Sequence, residues 1–288
     1  EPLFAKWYAW SHLISPATAA MNVVHRHIKI MKSYIQAPQI HEQAVKNPKM
    51  LGGPFMDYPF NRSGDIKKLL DETYVIQKKQ IEFSQAITQL NKTLIAEAAG
   101  YSMDELYAKV PSELKGYVEL IYDVNNFPSF RFFESLLYHS PFYNKDFQSL
   151  ALYLIEKDDR PFVLSTPRLE DEHSLHLNIS FDNKAIDELF KMQRIPNSYE
   201  YIKNLLGITE KEDKLFSTFF TNKPPKPYEK YDGENIRMRY FGHACILVET
   251  KDISILCDPV ISYGYDAELS RYTYTDLPES IDYVLITH

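Results

Sequence analysis

Residues 223–227 read Lys-Pro-Pro-Lys-Pro. Three prolines within four positions remove three backbone donors, pin φ and favour a stiff, extended segment. Neither a helix nor an interior strand runs through such a stretch, so the fold has to be assembled from the residues on either side of it. At roughly 150 residues per domain, a chain this long is expected to hold two. The expected division is an N-terminal domain at 1–222, a linker at 223–234 and a second folded part at 235–288. Long chains bury about three-quarters of their unfolded surface, so neither disulfide nor metal is needed merely to fold.

The first part changes texture along its length. Trp7, Trp10, Ile14, Val24, Ile28, Met31 and Ile35 recur at three- and four-residue steps, which predicts helix over 3–36. Ser15-Pro16 interrupts it, with Pro16 suited to the first turn of a second helix. Asn47-Pro48 and Leu51-Gly52-Gly53-Pro54 mark a loop. Ser63-Gly64-Asp65 opens a long amphipathic stretch through Ala98. Ile66, Leu69, Leu70, Tyr74, Ile81, Phe83, Ile87, Leu90, Leu94 and Ile95 form its apolar side, and Gly100 fits the stop. Strands are expected at 117–122, 150–155, 162–165 and 175–181, the last with Leu175, Leu177, Ile179 and Phe181 on one face. Residues 183–207 and 209–220 return to helix. The expected class of this domain is α+β.

Little chemistry is forced by this region. His25 and His27 stand two apart and cannot share a helix face, and His173 and His176 flank a strand start, so ordinary satisfied or surface histidines are the default. Phe127, Phe130, Phe132, Phe133, Tyr138, Phe142 and Tyr143 are expected in core or subunit interface rather than around a cofactor. Glycine is scarce at 9 of 288, and neither a P-loop nor a G-x-G-x-x-G run occurs, which argues against a glycine-looped nucleotide binder. A net charge of −7 argues against a dedicated nucleic-acid binder, and no apolar run reaches the roughly 18 residues of a membrane span. Cys245 and Cys257 lie inside apolar runs, which favours a reducing, cytoplasmic setting. The chain begins at Glu1 rather than methionine, which leaves a preceding targeting segment open.

After the prolines comes a series of strands. Ile236, Met238 and Tyr240 alternate with Arg237 and Arg239; 245–248 and 253–257 come next, the latter ending at Asp258-Pro259. A loop carries Tyr263, Tyr265, Tyr272 and Tyr274, and 281–288 begins as a buried strand that stops at Thr287-His288. Taken alone these residues have plain readings. His243 serves equally well as a cross-strand hydrogen-bonding group or as a residue near a site. Asp258 fits a turn-capping or supporting role better than direct ligation. One histidine, His288, cannot hold a catalytic metal.

In their order, Gly242-His243-Ala244-Cys245, Asp258-Pro259, Leu277-Pro278, Ile281-Asp282 and Leu285-Ile286-Thr287-His288 resemble the opening of the metallo-β-lactamase fold, an αβ/βα sandwich. That fold places its first metal ligand after such a strand, on an H-x-H-x-D-H loop. Over its whole length the chain resembles the diiron non-heme amino-acid β-hydroxylases typified by CmlA of chloramphenicol biosynthesis. The residues that carry this are Glu1-Pro2, Trp7-Tyr8-Ala9-Trp10, Gly52-Gly53-Pro54, Arg131-Phe132, Ser165-Thr166-Pro167, Leu177-Asn178, Asp258 through Tyr263 and Asp276 through His288. The resemblance implies two iron ions, O₂ as co-substrate and hydroxylation of the β-carbon of an amino acid. That amino acid would be held as a phosphopantetheine thioester on a nonribosomal peptide synthetase carrier domain. It implies His288 as a metal ligand, His243 and Asp258 as supporting residues, and an N-terminal domain that forms a homodimer and docks the carrier. Arg26, Lys29, Lys32 and Lys46 are candidates for the basic patch an acidic carrier would need.

Two other readings compete. A lactonase or phosphodiesterase of the same fold would use zinc or manganese and metal-bound hydroxide. A docking or dimerisation module would carry a degenerate metal domain. The resemblance also implies that 1–288 is a segment of a longer protein whose remaining ligands lie beyond His288. The native, unproteolysed protein should therefore exceed 33.7 kDa by intact mass; a mass at that value would overturn this expectation.

Overall fold

The structure is a computed structural model that describes residues 1–155, 160–261, 264 and 270–287. It is mixed α/β and divides into two compact units. Among the described residues the first holds 1–151, 160–169 and 177–180, and the second holds 152–155, 170–176 and 181–287. The spatial division therefore falls well before the proline run, and the helices of 184–217 group with the C-terminal strands.

The chain opens as a hairpin rather than a helix. Strands β1 (Pro2–Phe4) and β2 (Trp7–Tyr8) pair antiparallel, with Phe4 opposite Trp7. Ala5 and Lys6 turn the chain between them at φ 50° and 71°, the left-handed pair a two-residue hairpin demands. The helical spacing of the tryptophans is overridden by a distant partner. Leu3 faces Ser149 of β5 (Gln148–Tyr153), and the Glu1 backbone nitrogen donates to the Ala151 carbonyl at 2.7 Å. Helix α1 (Pro16–Asn22) begins with proline at its first turn as expected, passes through a π-helical turn at Val23–His27, and continues as α2 (Ile28–Gln36) and α3 (Pro38–Val45).

The long amphipathic stretch is two helices, α4 (Ser63–Ile76) and α5 (Lys78–Glu97), broken at Gln77. The break lets one sequence pattern serve two cores. Ile66, Leu69 and Leu70 pack with Trp7, Val23, Ile28, Met31, Tyr34 and Met56. Phe83, Ile87, Leu90 and Leu94 pack with Ala17, Ala20, Leu106, Leu114 and Leu137. Tyr74 and Ile95, expected on the apolar side, are exposed. A short helix α6 (Asp104–Tyr107) precedes the hairpin of β3 (Val118–Tyr122) and β4 (Pro128–Phe132), whose second strand the sequence pattern does not announce. Helix α7 (Glu134–Leu137) comes next. The aromatic group divides: Phe130, Phe132 and Phe142 pack against the second core, whereas Phe127, Phe133 and Tyr138 are exposed.

Two other expectations shrink. Residues 162–165 form no strand; Ser165 instead donates to the Phe55 carbonyl at 2.5 Å, and Pro161 and Pro167 supply no ladder donors. Strand β6 (Ser174–Leu177) stops early, since Ile179 N–H turns back to Leu177 O at 3.0 Å. In the first unit β1 lies between β2 and β5.

In the second unit, the expected helix at 183–207 is two, α8 (Lys184–Lys191) and α9 (Tyr199–Leu206), with Pro196 between them. Gly207 closes α9 at φ 67°, and a Thr209–Glu212 capping box opens α10 (Glu210–Ser217). The second sheet has order β10-β9-β8-β7, from β7 (Arg237–Gly242), β8 (Cys245–Glu249), β9 (Ser254–Cys257) and β10 (Tyr283–Leu285). The first three strands are antiparallel, and β10 joins β9 in parallel. Phe241, Cys245, Leu247 and Leu256 form this sheet's core with Ile261, Leu277 and Ile281. Ile236, Met238 and Tyr240 are exposed while Arg239 is buried, because the Glu249 carboxylate is buried on that side of the sheet. It accepts from both Arg237 and Arg239 at 2.9–3.2 Å, which compensates burial of the charge. Against the expectation of a buried strand, Tyr283, Val284 and Leu285 of β10 are each more than half exposed. Among the described residues β10 is an edge strand. No described helix is long and apolar enough to cross a membrane.

Two histidines are held neutral in the first unit. His27 lies flat on Trp7, ring centroids 3.9 Å apart; burial, then the charge of Arg26, push its pKa from 6.5 to about 3. His41, which no sequence motif singles out, is buried; its Nδ1 accepts the Met56 N–H at 2.9 Å, so Nε2 carries the proton and donates to Ser33 Oγ at 3.0 Å. Burial lowers its pKa too. Below pH 6.5 the unfolded chain binds protons at these histidines that the folded chain refuses. Unfolding free energy should therefore fall as pH drops from 6.5 toward 3. His27→Phe should flatten that slope in urea titrations; an unchanged slope would rule out the neutral histidine stacked on Trp7.

Candidate functional site

The second sheet gathers the candidate residues at one end. Cys257, the last residue of β9, sits opposite Ile246 of β8 and opposite Leu285 of β10. The His243-Ala244 turn before β8, Asp258 after β9 and the exit of β10 therefore share one sheet end. Backbone in the left-handed region concentrates there: Gly242 at φ 100°, His243 at 52° and Asp258 at 40°. Strain of this kind in non-glycine residues persists only when surrounding contacts hold it.

At Asp258 those contacts are explicit. Its N–H donates to Leu285 O at 2.8 Å. Its carboxylate accepts the Thr287 N–H and the Thr287 hydroxyl, each at 2.8 Å. The acidic side chain at the end of β9 thus fixes the backbone one residue before His288. His288 itself lies outside the described residues, as do Tyr263 and Tyr265. The opposite end of the strand pair has a matching clamp. The Asp282 carboxylate accepts Ser254 N–H and Ser254 Oγ–H, each at 2.8 Å; these bonds hold its pKa below the usual carboxylate range. Sequence reasoning missed Ser254, and it met Asp282 and Thr287 only as parts of motif runs, with no role for their side chains. A short polar residue abutting each end of a β-rich run was the available signal.

His243 is exposed, and its carbonyl accepts from Tyr240 Oη at 2.9 Å. Tyr272 packs on Phe241 at 5.4 Å, and Tyr274 on Phe190 at 5.1 Å, so both are tied into the unit. Cys245 is buried, and burial raises its thiol pKa, which disfavours a thiolate ligand. Both cysteines are free. His25 and His173 are exposed. Arg26, Lys29, Lys32 and Lys46 are exposed too, Lys46 paired with Glu42 at 2.9 Å and Lys32 over the Tyr74 ring at 5.7 Å. Among the described residues no three histidines, cysteines or carboxylates come together as a metal site. These residues do not by themselves fit a dinuclear centre; what Asp258 supplies is a double hydrogen bond that fixes Thr287.

Asp258→Ala should remove two charge-assisted hydrogen bonds from Thr287 at a partly solvated position and cost about 1 kcal/mol. Amide exchange at Asp258 and Thr287 should accelerate while the protection of α5 stays unchanged. Unaltered exchange at Thr287 would remove the clamp.

Residues 1–224 match the family described as the diiron non-heme beta-hydroxylase N-terminal domain. The chain is 31% identical over 295 aligned positions to the 4-amino-L-phenylalanyl-[CmlP-peptidyl-carrier-protein] 3-hydroxylase of Streptomyces venezuelae, covering 100% of this chain and 55% of that protein. The crystal structure of CmlA, a diiron beta-hydroxylase from the same organism, superposes with a TM-score of 0.82 at 32% identity, over 100% of this chain and 54% of that one. A variant of the CmlA beta-hydroxylase superposes with the same TM-score at 31% identity, over 100% and 55%. The chain thus spans about half the length of the relatives it matches. With the matched region covering most of its length, the chain belongs to the diiron non-heme β-hydroxylase family.

Proposed function

We propose that this chain is the N-terminal portion of an O₂-dependent diiron hydroxylase that acts on the β-carbon of an amino acid tethered to a nonribosomal peptide synthetase carrier domain. The observation that carries the reading is likeness along the entire chain to a protein named as a 3-hydroxylase of a carrier-bound aminoacyl group. Residues 1–222 would dimerise and dock the carrier, 223–234 would link, and 235–288 would open a metallo-β-lactamase-like metal domain, all in the cytoplasm. The second sheet supports this assignment, with an antiparallel series and then a parallel strand whose exit leads to His288.

The reaction class calls for a redox metal, because cleaving an unactivated C–H bond needs an oxidant where zinc would offer only Lewis-acid or hydroxide chemistry. The chain's own part is positional. Asp258 holds the backbone before His288, while His243 lies on the neighbouring turn. The basic residues Arg26, Lys29, Lys32 and Lys46 offer an exposed counter-charge to an acidic carrier.

The test is metal analysis and optical spectroscopy of the full-length protein purified without added metal, and then mass spectrometry of an aminoacyl-loaded carrier under O₂. Two irons per chain and O₂-dependent gain of one oxygen atom on the aminoacyl group are expected. Zinc or manganese with hydrolytic turnover would replace this reading with the hydrolase one.

A further inference from the structure

The short segment that leads from the tyrosine loop toward β10 is held from three directions by basic side chains. Arg194, between α8 and α9, reaches it with one guanidinium. Its Nη2 donates to the carbonyls of Tyr274 at 3.2 Å, Leu277 at 3.0 Å and Thr275, while Nη1 donates to the Lys226 carbonyl at 3.0 Å. The guanidinium also lies over the Tyr228 ring, 4.3 Å from its centroid. Lys226 pairs with the Asp276 carboxylate at 2.8 Å, and Arg239 donates to the Asp276 carbonyl at 2.5 Å. Asp276 in turn accepts the Thr273 N–H at 2.8 Å, and Phe190 of α8 packs edge-on against Tyr274. From this point Leu277 and Ile281 enter the small core of the sheet, Asp282 is clamped to Ser254, and β10 begins.

We propose that Arg194 is a positioning residue that sets the backbone at 274–277, and through it the placement of β10 and the approach to His288. Its planar fork is suited to this task because it satisfies carbonyls of two separate segments at once; a lysine offers one compact charge and cannot span them. Arg194 lies inside the region that matches the family's N-terminal domain, yet it is packed within the second compact unit. That part of the family domain would therefore act on the metal-domain strand directly, beyond any role in docking. The consequence for turnover rests on the proposed hydroxylase reading; the structural consequence does not.

The experiment compares the full-length wild type with Arg194→Met, Arg194→Lys and Lys226→Met by amide hydrogen exchange and by kinetics on an aminoacyl-loaded carrier. Arg194→Met should speed exchange across 274–285 by about tenfold or more, a local-opening effect, with α5 unchanged. Arg194→Lys should rescue only part of the protection, and Lys226→Met should loosen the same segment to a smaller extent. Supporting residues around metal sites typically change activity by about 10–100-fold, so kcat should fall within that range with KM for the carrier little changed. Unchanged exchange at 274–285 in Arg194→Met, or full rescue by lysine, would overturn the proposal. If Arg194→Met does not fold, Arg194→Lys and Lys226→Met decide it by the same exchange readout. Faster exchange together with unchanged kcat would overturn the link to turnover. A wild type without hydroxylation would instead discard the functional reading and leave the exchange result standing.

Discussion

A parallel pair of strands, each only three or four residues long, depends on what happens at its ends. Here β9 and β10 are closed at both. Asp282 lies before β10 and takes two hydrogen bonds from Ser254 at the start of β9; Asp258 lies after β9 and takes two from Thr287 beyond the end of β10. Each strand lends a carboxylate to the other, at opposite ends. Carboxylate acceptors make stronger bonds than neutral ones, which matters for an edge strand whose side chains are more than half exposed. The clamps fix both register and exit direction, and the exit direction is what a ligand at His288 would inherit.

The same sheet uses charge in its interior. Glu249, almost fully buried, is answered by two arginines on the facing strand, and one of them also reaches the Asp276 backbone. Burying a carboxylate is tolerable only with such full compensation. The arrangement ties the β7–β8 pair to the segment that precedes β10. Three basic side chains converge on that segment, so it is specified by tertiary contacts as well as by its single 3-10 turn at Tyr274–Asp276.

Much of the local structure was legible. Proline at the first turn of α1 and the Asp258-Pro259 exit of β9 sat where their backbone chemistry requires, and Gly100, three residues beyond the end of α5, takes the left-handed φ of 81° that glycine allows; the Gly207 cap of α9, at φ 67°, had not been singled out. The 66–94 apolar stripe was legible as helix but not as two helices, since Gln77 carries no breaking signal; the interruption arises because each half packs into a different core. Arg237 and Arg239 alternated visibly with apolar neighbours, yet hydrophobicity alone would have buried Ile236 and Met238. The buried Glu249, which has its acceptors on the arginine side, reverses that.

The sequence alone determined the punctuation, the helical and β-rich stretches and the motif order that leads to Thr287-His288, because these depend on the φ preferences and spacing of neighbouring residues. Tertiary structure decided the opening hairpin, the split of α4 from α5, the membership of α8–α10 in the second unit and the roles of Asp258 and Arg194. Each of these rests on a partner distant in the chain: Ser149 for Leu3, two separate cores for one stripe, Tyr274–Leu277 for Arg194, Thr287 for Asp258. Such pairings leave no periodicity to read, since their energy is gained only once the chain has brought the two segments together.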